Sequence, residues 1–370
     1  MGPLDYYRQF AGMSEEEVSE ELRERAAERR RLALARLEVL DLSRTTWHEL
    51  PHPDVINAIT FAARGALQSQ PDPTAEELRR ELGRRSGIEP ARVAVGHGAA
   101  QLLTAAAQEL LGPEDELLTP WPSYGLYPVM AQRAGARAVP LPGGHDVASL
   151  LDAVGPRTRA IALCNPNDPT GAHLPTHALQ ELLEGLPDHV SLLLDEALVD
   201  FVSSERTGGI TTTLALLDEH PRLLIFRTFS KVYGLAGLRC GYVLGGPGSE
   251  ELLERLAPPL GVGLPVQIGA LEALKVCEPQ LVARRAGVLA ERARLLEALH
   301  ELSVDAAPSE ANVVWLRAPG LSASELTEQL RQRGVLVMSG SFVGDDAHVR
   351  VTVQDEQATD KLLAALETTV

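Results

Sequence analysis

Hydrophobic positions through the middle of the chain fall in brief runs: Val93 to Val95, Glu116 to Thr119, Ala138 to Leu141, Ala160 to Cys164, Ser191 to Leu194, Leu223 to Thr228 and Arg239 to Leu244. Most end at glycine, proline, serine or aspartate, and stretches of helical periodicity separate them. A strand with one wet face alternates apolar and polar residues, whereas one that is apolar at successive positions is buried on both faces. Such runs alternating with helices predict an α/β fold, a mostly parallel sheet sandwiched by helices, over residues 42–250. Sheets of this kind collect ligands at the carboxyl ends of their strands.

Both ends of the chain are patterned differently. Ser14 followed by Glu17 makes a capping-box start, and the Glu/Arg-rich stretch to about Leu40 carries a single apolar stripe. It reads as a helical arm over residues 1–41, returning to pack on the far end of the molecule. Beyond residue 250 the pattern gives one long helix from about Pro265 through Leu302. Strand-like Asn312 to Leu316, a helix from Ser322 to Gly334, strand-like Val335 to Met338 and His348 to Val353, and a closing helix follow. That order predicts a smaller α+β domain over residues 251–370.

Composition narrows the partners. A formal charge of −17 over 370 residues argues against nucleic acid and against an anionic membrane surface, both of which require a basic face. An anionic ligand must then be met by a few local cations. Residues Met1 to Ala11 lack the basic start and apolar run of a signal peptide, and no uninterrupted apolar stretch approaches the roughly 18 residues of a membrane span, so a cytoplasmic protein is expected. Cys164, Cys240 and Cys277 are too scattered for a disulfide framework or a cysteine zinc site, and no metal is expected.

The chemistry concentrates after Thr228. The segment Ser230-Lys231-Val232-Tyr233-Gly234-Leu235-Ala236-Gly237-Leu238-Arg239-Cys240-Gly241 combines one lysine, hydroxyls, three glycines and an arginine. A lysine in an apolar, glycine-rich setting has its pKa depressed by desolvation and by a nearby cation, as a Schiff-base nucleophile requires. Ser230 and Arg239 suit a phosphate. The alternative is a surface lysine beside a structural turn. Earlier, Gly96-His97-Gly98-Ala99-Ala100-Gln101 follows a strand and opens a helix, where free N–H groups and the helix dipole favour a phosphate.

In this order the motifs closely resemble the fold-type I pyridoxal-phosphate enzymes, within them the class I/II aminotransferases and especially the branch of histidinol-phosphate aminotransferase. The resemblance runs from about Leu42 to the C-terminus. It implies that Lys231 holds pyridoxal phosphate as a Schiff base and moves the substrate's α-proton, while Ser230, Arg239 and the backbone of Ala99 and Ala100 hold the phosphate. By the same resemblance Tyr124 lies flat on the cofactor ring, and Asp195 pairs with its pyridine nitrogen. Arg350 clamps the substrate carboxylate, with Asn312 beside the pocket, and Gln70 reaches the cofactor phosphate of a second subunit in a homodimer. Trp121 is expected in the core, and His97 as a loop residue.

The pattern also departs from that family. Asp168 stands where an asparagine usually donates to the cofactor's phenolic oxygen, and Leu198 where a tyrosine does. An ionised aspartate cannot donate, so Asp168 must be protonated, turned away or paired with a cation. Met338 replaces an arginine that helps bind the substrate phosphate of histidinol-phosphate aminotransferases. Leu42 to Glu49 replaces an asparagine-rich substrate loop, so that Arg44, Trp47 and His48 become candidates to line a different pocket, with Trp47 expected to touch substrate. The reading is a pyridoxal-phosphate aminotransferase moving an amino group between an amino acid and a 2-oxo acid. A histidinol-phosphate aminotransferase, an eliminase, cyclase or decarboxylase, and a non-catalytic module of the same fold are the alternatives.

Overall fold

The computed structural model of the chain describes residues 39–203 and 212–369. Its main sheet has seven strands among these residues: β2 (Val93–Gly96), β3 (Glu116–Trp121), β4 (Arg137–Pro142), β5 (Thr158–Cys164), β6 (Ser191–Asp195), β7 (Leu223–Thr228) and β8 (Gly241–Gly245). Their spatial order is β2-β8-β7-β6-β5-β3-β4. Neighbours run parallel from β4 to β7, whereas β8 is antiparallel to both β7 and β2.

The continuous apolar runs follow from burial on both faces. Ala160, Ala162 and Leu193 point into a core shared with α3 (Ala99–Leu110), α4 (Leu126–Arg133) and α7 (Glu250–Leu256), while Ile161, Leu163, Leu192 and Leu194 point into a second core on the opposite face. Small residues dominate the first side, so its helices sit close. The remaining elements of this part are α1 (Pro53–Ala66), α2 (Glu76–Ser86), α5 (Val147–Ala153) and α6 (Thr176–Gly185).

The stretch expected as one long helix is two, α8 (Leu264–Val276) and α9 (Glu278–Glu301). Cys277 ends the first and begins the second, and Pro279 lies in the first turn of α9. Proline has no N–H to give and its ring clashes with the preceding turn, so it starts a helix readily and cannot continue one. The second core continues past Val288, Leu295 and Leu299 of α9 into a four-stranded antiparallel sheet. That sheet is β12 (Met338–Ser339), β13 (Val349–Thr352), β10 (Val313–Arg317) and β9 (Asp305–Ala306), in that order. α10 (Ala323–Gln332), with a capping box between Ser322 and Glu325, and α11 (Glu356–Glu367) complete this part.

The expected strand from Val335 to Met338 is also divided. β11 (Val335–Leu336) pairs in parallel with β1 (Leu40–Asp41), and β12 joins the antiparallel sheet. The helical arm expected over residues 1–41 lies outside the described residues up to residue 38; Leu40 and Asp41 are extended and pair with Val335 and Leu336. From there Leu42 donates to Leu336 and accepts from Thr352, which leads residues 43–47 toward the edge of the main sheet.

Candidate active site

That edge carries a cleft of about 150 Å³, open to solvent, lined by Thr46, Ala99, Ala100, Tyr124, Cys164, Asp168, Asp195, Ala197, Leu198, Thr228, Ser230, Lys231, Ala236 and Arg239. The C-terminal ends of β2, β5, β6 and β7 supply most of it. Thr46 comes from the segment after β1, and Arg239 precedes β8. The antiparallel course of β8 sets Gly241 beside both Gly96 and Thr228, so its N-terminal end lies at the ligand edge with the C-terminal ends of its neighbours.

Around Arg239 the backbone is shaped for close approach. Gly98 has φ of +85°, and a Cβ there would stand 2.7 Å from Arg239 Nη2; one on Gly241 would stand 2.4 Å from the Ala99 nitrogen. Glycine at both places lets β8 and the arginine lie against the start of α3. No side chain caps α3, so its first N–H groups, unpaired within the helix, face the cleft with Ala99 and Ala100. Ser230 Oγ lies 3.5 Å from Arg239 Nη1 and accepts from Thr228 at 2.9 Å. Hydroxyls, helix N–H groups and a guanidinium therefore converge on one spot, the donor set for a phosphate.

Lys231 lies at the floor of the cleft, its Nζ hydrogen-bonded to Thr45 Oγ1. Burial pushes its pKa below the usual lysine value; Asp168 opposes the shift and Arg350 adds to it. Asp195 is 3% exposed. It accepts from Tyr127 Oη and from the Ala197 N–H, both at 3.0 Å, yet burial still raises its pKa to about 6. A carboxylate this deep, with only neutral donors in hydrogen-bond contact, fits a cationic ligand atom in the cleft. Tyr124 is 40% exposed and meets Tyr127 edge to face at 5.8 Å, leaving its ring open to the cleft.

Asp168 takes the third of the courses open to it. Its Oδ1 accepts from Arg350 Nη1 at 2.6 Å. Arg350 is 7% exposed, and its Nη2 donates to the Ser43 carbonyl. The guanidinium thus stands behind Asp168 rather than lining the cleft.

Other candidates fall elsewhere. Trp47 lines a separate groove, under the Arg284 guanidinium 4.8 Å away, with its Nε1 on Glu49. His48 approaches Asp355, and Arg44 is solvent-exposed near Asp41. It is Thr45 and Thr46 of this segment that reach Lys231 and the cleft. Asn312 is buried with its Oδ1 unpartnered and does not line the cleft. Gln70 is exposed beyond α1. His97 is an exposed loop residue, as expected. Trp121 is only half-buried rather than core, because its indole N–H donates across to the Val343 carbonyl at 2.7 Å. Tyr127 went unforeseen; its signal was a second tyrosine one helical turn after Tyr124.

Residues 38–366 match the sequence model of aminotransferase class I and II. The chain belongs to this family. It is an aminotransferase, moving an amino group between an amino acid and a 2-oxo acid. Among its relatives, an aromatic amino acid aminotransferase of Corynebacterium efficiens is 36% identical over 322 residues, 86% of this chain and 89% of that protein. Histidinol-phosphate aminotransferase 1 of Nitrosococcus oceani is 36% identical over 321 residues, 86% of this chain and 85% of that one. The histidinol-phosphate aminotransferase of Sinorhizobium meliloti, solved in complex with pyridoxal-5′-phosphate, superposes with a TM-score of 0.80 at 26% identity, covering 92% of this chain and 93% of that one. Pyridoxal phosphate is the cofactor of this fold type. The glycine-lined phosphate spot, the buried Asp195 and the lysine between them fit it.

Proposed function

We propose that this aminotransferase takes the amino group from an amino acid with an apolar, aromatic side chain, and that Lys231 is its catalytic centre. The observation that carries the proposal is that Lys231 and the buried Asp195 face one cleft beside the phosphate-shaped turn at Ala99. Pyridoxal phosphate, when bound, supplies the electron sink for the carbanion left at the substrate's α-carbon. Ser230, Arg239 and the N–H groups of Ala99 and Ala100 hold the phosphate, and Tyr124 covers the ring. Asp195 keeps the ring nitrogen protonated, with Tyr127 and the Ala197 N–H fixing its orientation. Lys231, held by Thr45 and with its pKa lowered by burial, would carry the cofactor on Nζ and, once the substrate's amine has displaced it, would take the proton from the α-carbon and return it.

An aromatic donor is supported by two features. Leu198, Ala197 and Ala236 give the cleft lining an apolar share. On the strand beside Arg350, Met338 stands in register with it and offers no cation to a substrate phosphate. The name of the Corynebacterium relative accords with that choice.

Initial rates with phenylalanine, tyrosine, aspartate and histidinol phosphate as donors to 2-oxoglutarate test it. Phenylalanine or tyrosine should give the highest kcat/KM; histidinol phosphate in that place overturns the reading. A large domain over 42–250, a small one over 251–370 and a homodimer belong to the same proposal. Ile56, Phe61 and Leu67, 43%, 80% and 79% exposed on and just after α1, support the dimer as an uncovered apolar surface.

A further inference from the structure

We infer that Asp168 is a specificity-determining residue that occupies, in the resting protein, the place on Arg350 that a substrate carboxylate takes. The inference rests on the aminotransferase reading and on the role as carboxylate clamp that the sequence resemblance implies for Arg350, and deepens both. A guanidinium grips a carboxylate best through two parallel N–H bonds. In this protein Nη1 of Arg350 is engaged by Asp168 Oδ1 at 2.6 Å and Nη2 by the Ser43 carbonyl. Nε, the remaining nitrogen, is unpartnered but sealed from solvent. Asp168 lines the cleft and Arg350 does not. The face first met by an incoming carboxylate is therefore another carboxylate.

Two consequences follow from the charges. An entering α-carboxylate gains the guanidinium only as Asp168 gives it up, so its affinity is the difference between two carboxylates on one arginine. Until that exchange occurs, the two anions repel across a partly buried cleft, where screening is weak. Both effects penalise a ligand for carrying a carboxylate and leave its side chain untouched. Selection among donors then depends on the side chain more than on the carboxylate common to all amino acids.

Calorimetric titration of the holoenzyme with non-reacting acids tests this: acetate, butanoate and 3-phenylpropanoate, each paired with its neutral amide, for the wild type, Asp168→Asn and Asp168→Ala. Both variants should bind each carboxylate at least about tenfold more tightly than the wild type, the worth of one charge-assisted hydrogen bond. The amides should change by less than about twofold. The KM for phenylalanine should fall with the carboxylate dissociation constants, and kcat should move less. Equal carboxylate affinity in all three proteins overturns the inference, as does a gain shared by the amides or an absence of carboxylate binding throughout. Failure of the aromatic reading is separable: the best acid would then be a short one, with the gain on removing Asp168 retained. Loss of cofactor absorbance marks a misfolded variant, and the other substitution then decides.

Discussion

At the scale of single residues, the cleft depends on charges held where water is scarce. Asp195 has its pKa raised from 3.8 to about 6. Between those values the folded protein binds more protons than the unfolded chain, so stability falls as pH rises through the window and stays lowered above it. In cofactor-free protein, Asp195→Asn should therefore raise stability by about 3 kcal/mol at pH 8 and by little near pH 3.5. Urea unfolding at the two pH values checks both sign and size; a gain equal at both removes the desolvation argument. With the ring nitrogen of bound cofactor as the proposed partner of Asp195, the same substitution should lower kcat by on the order of 10²–10³. That Lys231, Asp195 and Arg239 would meet in one cleft was legible in the sequence, for Lys231 and Arg239 from one glycine-rich motif after a strand and for Asp195 from the resemblance. The Asp168–Arg350 pair was not, since 182 residues separate the partners. Sequence reading reached only the requirement that an ionised Asp168 find a cation.

At the scale of elements, the donor cluster proposed to hold the phosphate exists because three separate pieces converge: the start of α3, the end of β7 and the start of β8. Their approach depends on glycine. Gly241→Ala would place a methyl group 2.4 Å from the Ala99 nitrogen, and backbone cannot yield as a side-chain tip does. The cost falls on the spacing of β8 and α3, so the affinity for pyridoxal phosphate should drop at least about tenfold, a backbone displacement costing more than 1.4 kcal/mol. Fluorescence titration of the cofactor-free protein measures it; unchanged affinity with an intact fold means that the turn does not hold the phosphate. Element boundaries were legible wherever the apolar runs were short and bounded, as from β2 to β8. They failed at Cys277, where helical periodicity continues through a backbone that Pro279 interrupts. They failed again at Val337, which separates two strand fragments bound to different partners. Hydrophobic pattern reports burial, and both sides of each break are buried alike.

At the scale of the whole molecule, one uncovered surface stands out: the apolar residues on α1, with Gln70 close by in sequence. If two chains meet there, Phe61→Asp buries a charge in the interface and should weaken association at least about tenfold. Sedimentation velocity across a micromolar dilution series reads this directly, and a wild type that is monomeric throughout removes the proposed dimer. Among the described residues no helix is long and apolar enough to cross a membrane.

The sequence by itself determined the layered α/β fold, the order of motifs along it and the lysine that the cleft gathers with Asp195 and Arg239. These rest on local pattern: two-sided burial of a strand writes itself as consecutive apolar residues, and a strand-turn-helix phosphate site needs its glycines adjacent. Tertiary structure decided which strand reverses to bring Arg239 to the edge. It also decided which residues of the 42–49 segment face Lys231, and that Arg350 is already held by a carboxylate. Those are meetings between residues far apart in the chain, fixed by how the sheets and helices pack, and no local pattern encodes them.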